Sequence, residues 1–222
     1  MKRSPILSRT LLALALAAAA PLALAQENIS RVNGGVTAEA GRSYGELSTV
    51  NGSVTVRDGA SARSAETVNG GISVGDNAEV GRLETVNGGI RIGRDTRIAR
   101  DVETVNGAVS LGEGSEVGGK LSTVNGAIQL RQARVEGDLE TGSGDLTVGA
   151  GASVGGGITV RKPSGSWFNR GNRRDPKVVI GPDAVVSGRL VFEREVELWV
   201  HDSARIGEVS GAQARRFSGD TP

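Results

Sequence analysis

The chain has 222 residues, a formal net charge of +1, no cysteine and only 3% aromatic residues. The near-balanced charge argues against a nucleic-acid partner, the missing cysteines exclude disulfide staples and thiol chemistry, and so few large rings exclude an ordinary aromatic-filled core. Glycine, at 34 residues, is about twice its usual share of roughly 7%, but it does not recur at every third position, which excludes collagen.

Residues 1–25 read as a cleaved secretory leader. Lys2, Arg3 and Arg9 form the positive start, Leu11 to Ala20 is an apolar run too short to span a bilayer, and Ala23-Leu24-Ala25 is a small-x-small cleavage site. Its removal takes away those three cations and leaves 23 basic residues against 25 acidic ones, a net charge of −2. The leader is of a bacterial kind, so the expected location is periplasmic or secreted. No later stretch is apolar enough to cross a membrane as a helix.

From Arg31 onward the chain repeats itself. Thr-Val-Asn-Gly begins at Thr49, Thr67, Thr85, Thr104 and Thr123, with a degenerate first copy at Arg31-Val32-Asn33-Gly34 and a decayed last one at Thr141-Gly142-Ser143-Gly144. Asn33, Asn51, Asn69, Asn87, Asn106 and Asn125, followed by Ser143, are spaced by 18, 18, 18, 19, 19 and 18 residues. So constant a period means that each unit occupies an equivalent place in a stack. Within a unit the apolar residues alternate in three short runs, as in Ile90/Ile92, Thr96/Ile98 and Val102 to Val105, with corners at Gly93-Arg94-Asp95, Arg100-Asp101 and Asn106-Gly107. Period-2 runs of this length are strands with one buried face. The pattern predicts an all-β fold, a single-stranded parallel β-helix (β-solenoid) with about three strands per rung of 18–19 residues and with rungs ~4.8 Å apart.

Each Asn is expected at a corner, its amide stacked on the next to form a ladder that satisfies inward polar groups. The following Gly is expected to supply an unusual backbone angle. Strict alternation cannot bury both Thr and Val of the repeated phrase. Burial of Val50, Val68, Val86, Val105 and Val124 is favoured, because a long exposed apolar stripe is uncommon on soluble monomers; exposed, it would be the best partner-binding surface.

The solenoid domain is expected over residues 26–211, interrupted by a basic insert at 161–177 and followed by a polar tail at 212–222. Arg161, Lys162, Trp167, Phe168, Arg170, Arg173 and Arg174 make the insert a candidate partner-binding element. Cations interleaved with aromatics suit an envelope protein, an anionic glycan or a lipid headgroup, although a solvated loop has the same composition. Glu66, Glu84, Glu103 and Glu140 form a second column, read as a solvated acidic edge relieved by Arg82 or Arg100 sooner than as a cation site. His201 stands alone, and no catalytic, cofactor-binding or metal-ligating motif is recognisable, so no cofactor and no enzymatic activity are expected.

The leader, the Val-Asn-Gly-x-Ile/Val-x-Val units and the 18-residue period over residues 31 to 148 resemble the secreted bacterial β-strand-repeat proteins described as adhesins. Ile72-Ser73-Val74-Gly75 and Ala78-Glu79-Val80-Gly81 are similar to the rung of bactofilins, which are polymer-forming and typically cytosolic. That resemblance implies a right-handed helix. Val74, Val80, Val86, Ile92 and Ile98 recur at intervals of six, as in hexapeptide-repeat acyltransferases, which would imply a left-handed helix and a catalytic His at a trimer interface. The extra residues near Thr104 and Thr123 and the late, solitary His201 argue against that likeness. The expectation is an exported, non-enzymatic structural or interaction protein of the cell envelope. Because a solenoid leaves strand edges open at its ends, it could associate end to end with further copies. The alternative is a polysaccharide-binding or polysaccharide-cleaving β-helix, for which carboxylates should converge beside the insert.

Overall fold

A computed structural model describes residues 26–162, 174–219 and 221–222. The leader expected over residues 1–25 lies outside them. The described chain is a parallel β-solenoid of about ten rungs. A central rung runs through the strands Leu83–Asn87, Ile90–Ile92 and Arg97–Ile98, one on each of three faces. Each strand pairs in parallel with its counterpart one rung away, like residue on like: Leu83 with Val102, Thr85 with Thr104, Asn87 with Asn106. The second face is a continuous ten-stranded sheet from Val36–Ala38 to Ala214–Phe217.

Pairing between rungs explains why short, glycine-rich segments hold strand geometry at all. A three-residue strand cannot be stable alone, but its backbone donors and acceptors are taken up by the rungs on either side. The inward residues form uninterrupted files. Val36, Val54, Ile72, Ile90, Val109, Ile128, Leu146, Val178 and Leu198 make one, all buried. Ala60, Ala78, Ala133, Ala152 and Ala184 make another at a corner, with Thr96 and Ser115 replacing Ala in the same file. These two hydroxyls are satisfied by carbonyls of the corner, Thr96 on Gly75 at 2.7 Å and Ser115 on Gly112 at 2.6 Å.

Three expectations are corrected by the packing. The first concerns parity: Thr49, Thr67, Thr85, Thr104, Thr123 and Thr141 face the core, at most 5% exposed, while the valines beside them face out. Each inward hydroxyl donates to the carbonyl of the corner glycine one rung back: Gly34, Gly52, Gly70, Gly88, Gly107 and Gly126, at 2.8–3.3 Å. No backbone N–H of the corners ends on these carbonyls. Valine has the same shape but would leave a buried acceptor unpaired.

The second concerns the glycine after Asn. Of this column only Gly34 has a positive φ, +99°. The left-handed residues lie instead at the next corner, in the file Gly41, Gly59, Asn77, Asp95, Gly114, Gln132, Gly151 and Asp183. Glycine follows Asn because the corners rest directly on one another: a Cβ on Gly107 would lie 2.8 Å from the Gly89 nitrogen and closer still to the Gly88 carbonyl.

The third concerns the C-terminal end. Ala214–Phe217, expected in a polar tail, forms the last strand and pairs with Leu198 to His201. Phe217 is buried there and meets the His201 ring edge-on at 5.1 Å. The His201 ring nitrogen Nδ1 accepts the Ser203 backbone N–H at 3.1 Å, so this side chain fastens the final turn.

Candidate functional site

The outer surface of the first face is built by the same parity. With Leu83 and Thr85 inward, Glu84 and Val86 must point out, and Asn87 sits at the corner. Stacked over the rungs, this gives three parallel columns. Val32, Val50, Val68, Val86, Val105 and Val124 form an outward ridge, each 37–67% exposed. Six valines one rung apart span about 24 Å. They are the exposed large hydrophobic residues of the described chain.

On one side of the ridge runs the Asn ladder. Asn51 Nδ2 donates to Asn33 Oδ1 at 3.1 Å, and Asn69, Asn87, Asn106 and Asn125 each donate to the Asn before them at 2.9–3.0 Å. Ser143 Oγ closes the file on Asn125 Oδ1 at 2.9 Å. The ladder therefore forms as the spacing predicts, but on the outside; the inward polar work falls to the threonines. Replacing Asn87 with Ala removes two amide–amide bonds. As these are exposed, the expected loss is about 1 kcal/mol, read as a modest fall in the urea midpoint with unchanged cooperativity.

On the other side stand Ser48, Glu66, Glu84, Glu103, Ser122 and Glu140, paired rung on rung. Arg82 bridges Glu84 and Glu103, 3.1 Å from each. The Glu84 charge, backed by the Glu103 hydrogen bond, holds the Arg82 guanidinium above its ordinary pKa. Lys120 and Arg161 neutralise Glu140. Among the described ion pairs, Arg82 relieves the column as expected; Arg100 takes no part, and Lys120 and Arg161 were not foreseen. No group of three or more metal-ligating side chains is brought together among the described residues.

The basic insert begins one rung past the end of the ladder: Thr141 pairs with Val160, and the Arg161 backbone N–H donates to the Thr141 carbonyl at 2.8 Å. The insert's two roots are fastened to carboxylates. Arg161 pairs with Glu140 and Arg174 with Asp145. The Lys162 backbone N–H donates to Glu193 at 3.2 Å, and that of Lys177 to Asp145 at 2.9 Å. Trp167, Phe168, Arg170 and Arg173 lie outside the described residues. Carboxylates thus gather at the insert, but these three are each engaged by a cation or a backbone amide. Beside the second root, a cleft of about 530 Å³ is lined by Asp145, Thr147, Lys177, Val179, Pro182 and Pro222, among others. Sequence reading missed this cleft, because its walls come from rungs more than thirty residues apart. Lys177 and Arg215 also flank the Trp199 ring at 5.9 and 5.4 Å on the same face.

No protein-family model matches the chain, and neither a curated protein nor a solved structure does.

Proposed function

We propose that this β-solenoid repeat protein is an exported, non-enzymatic structural and interaction protein of the bacterial cell envelope, of the adhesin-like kind and with a bactofilin-like capacity to assemble end to end. The observation that carries the reading is the outward surface. Over six rungs it repeats one apolar column between two polar ones, which makes a linear array suited to an extended or repetitive partner. The leader read at residues 1–25 supports export to the periplasm or beyond. The anchored insert supports contact with an envelope protein or with an anionic glycan or lipid headgroup. Acidic residues of the rod hold its two roots in place.

Deleting residues 163–174 tests this. The deletion leaves five residues between Val160 and Val178, the number that already separates Phe192 from Leu198 in the next rung. The rod should therefore keep its melting temperature while the chain is lost from envelope fractions. Retention at the wild-type level would count against the reading. End-to-end assembly has its own check. The strand Glu27–Asn33 pairs on one edge only among the described residues, so negative-stain images should show rods in line at high concentration, and isolated single rods would argue against it.

Polysaccharide binding is the second reading, favoured by the 530 Å³ cleft beside the insert and by the Trp199 ring flanked by cations on that face. A titration with acidic and neutral glycan fragments that left Trp199 fluorescence unchanged would remove its support.

A further inference from the structure

The valine ridge is an apolar surface whose repeat is set by the rungs beneath it, and this restricts what can cover it. An extended peptide repeats its like-facing side chains every ~6.7 Å and an α-helix its turns every ~5.4 Å, against ~4.8 Å for the ridge. Across the five intervals from Val32 to Val124 an extended peptide drifts out of step by about 9.5 Å and a helix by about 3 Å. A second cross-β stack stays in step over the whole length. The flanking columns narrow the choice to a second copy and set its direction. Across every rung the order is Ser or Glu, then Val, then Asn. Two copies related by a two-fold axis parallel to the rods lie face to face with that order reversed. Valine then meets valine, and Asn69, Asn87 and Asn106 of each copy lie across from Glu66, Glu84 and Glu103 of the other, at the same level. A two-fold axis across the rods makes them antiparallel and sets Glu against Glu.

The chemistry at the facing columns is complementary. Each ladder amide has two N–H bonds and commits one along the file, which leaves one to donate. A carboxylate can accept several hydrogen bonds. Glu84 and Glu103 therefore keep acceptor capacity beyond the one cation, Arg82, that they share. Bonds to an ionised acceptor are the stronger kind.

We propose that two copies of this chain pair side by side, parallel and in register, through the ridge from Val32 to Val124, with the Asn ladder of each hydrogen-bonded to the Glu column of the other. The proposal rests on the reading of the protein as an assembling structural rod, and it names the partner of that surface. It is distinct from end-to-end contact, which uses the strand edges.

Sedimentation of the protein expressed from the full sequence should give twice the mass of one chain. Val86→Lys combined with Val105→Lys should return it to one chain, with the dimer dissociation constant raised at least 100-fold and the far-UV circular dichroism of the folded rod unchanged, while the thermal midpoint loses the concentration dependence it has in the wild type. The absence of native cysteine makes the arrangement directly readable. Val50→Cys and Val105→Cys, made separately, should each cross-link to itself under mild oxidation. An antiparallel pair over the same ridge would join Val50→Cys only to Val105→Cys in a mixture, and end-to-end rods would join neither. Either result overturns the proposal, as does a wild-type chain that stays single at high concentration. Should the wild type be single and yet lose envelope binding in the lysine variant, the ridge belongs to another partner. The self-pairing then fails while the envelope reading stands.

Discussion

Gly107→Val should be the most damaging single change in the repeat region, lowering stability by more than ~3 kcal/mol and moving the urea midpoint accordingly. A Cβ at this position meets backbone, 2.8 Å from the Gly89 nitrogen and nearer still to the Gly88 carbonyl. Backbone in a stack of hydrogen-bonded rungs cannot step aside as a flexible side chain can. Gly126 rests in the same way on the Gly107 carbonyl, so widening one corner disturbs those on both sides. Gly34→Ala is the internal control. Nothing lies within 4 Å of a Cβ there, but φ is +99°, so the cost should be the left-handed strain alone, about 1–2 kcal/mol. Equal effects at the two sites would show that contact between rungs is not what requires glycine.

Thr104→Val should cost about 1–3 kcal/mol, although it adds apolar surface to a buried position. The side chain is 4% exposed, and its hydroxyl donates to the Gly88 carbonyl at 2.9 Å. Valine fills the same volume and donates nothing, so the carbonyl is left desolvated and unpaired. Thr104→Ser keeps the donor, loses only a methyl group and should be the milder change. Equilibrium urea unfolding of the three proteins decides it. A valine variant as stable as the wild type would mean that the carbonyl finds water or another donor. The same bond recurs at Thr85 and Thr123, so a triple valine variant should lose several times as much.

The two predictions concern the same atoms from opposite sides. The corner glycine has no Cβ because the next rung lies on it, and its carbonyl takes the hydroxyl of a threonine 15 or 16 residues later. The valine beside that threonine is thereby turned outward. The ridge on which the proposed pairing rests is a consequence of how the corner is satisfied.

The spacing of Asn33, Asn51, Asn69, Asn87, Asn106 and Asn125 was enough to establish a parallel solenoid, its period and the file in which those amides stand. Stacking requires like residues to recur at the rung interval, and a linear chain displays that interval openly. The apolar files through Ile72, Ile90 and Val109 were legible for the same reason, since alternation and period together leave them one place to go. Three things were decided only by the folded rungs. Thr and Val are nearly isosteric and equally good strand formers, so pattern could not say which faces in; the unpaired Gly88 carbonyl, brought from the rung before, makes that choice. Glycine after Asn looks like turn chemistry in one dimension, and the need for it becomes contact between corners only when Gly107 is set on Gly88. The roots of the insert are fixed by Arg174 on Asp145 and Arg161 on Glu140, pairs 29 and 21 residues apart, and charge pairs at such separations leave no mark in a local pattern because only the winding of the chain brings them together.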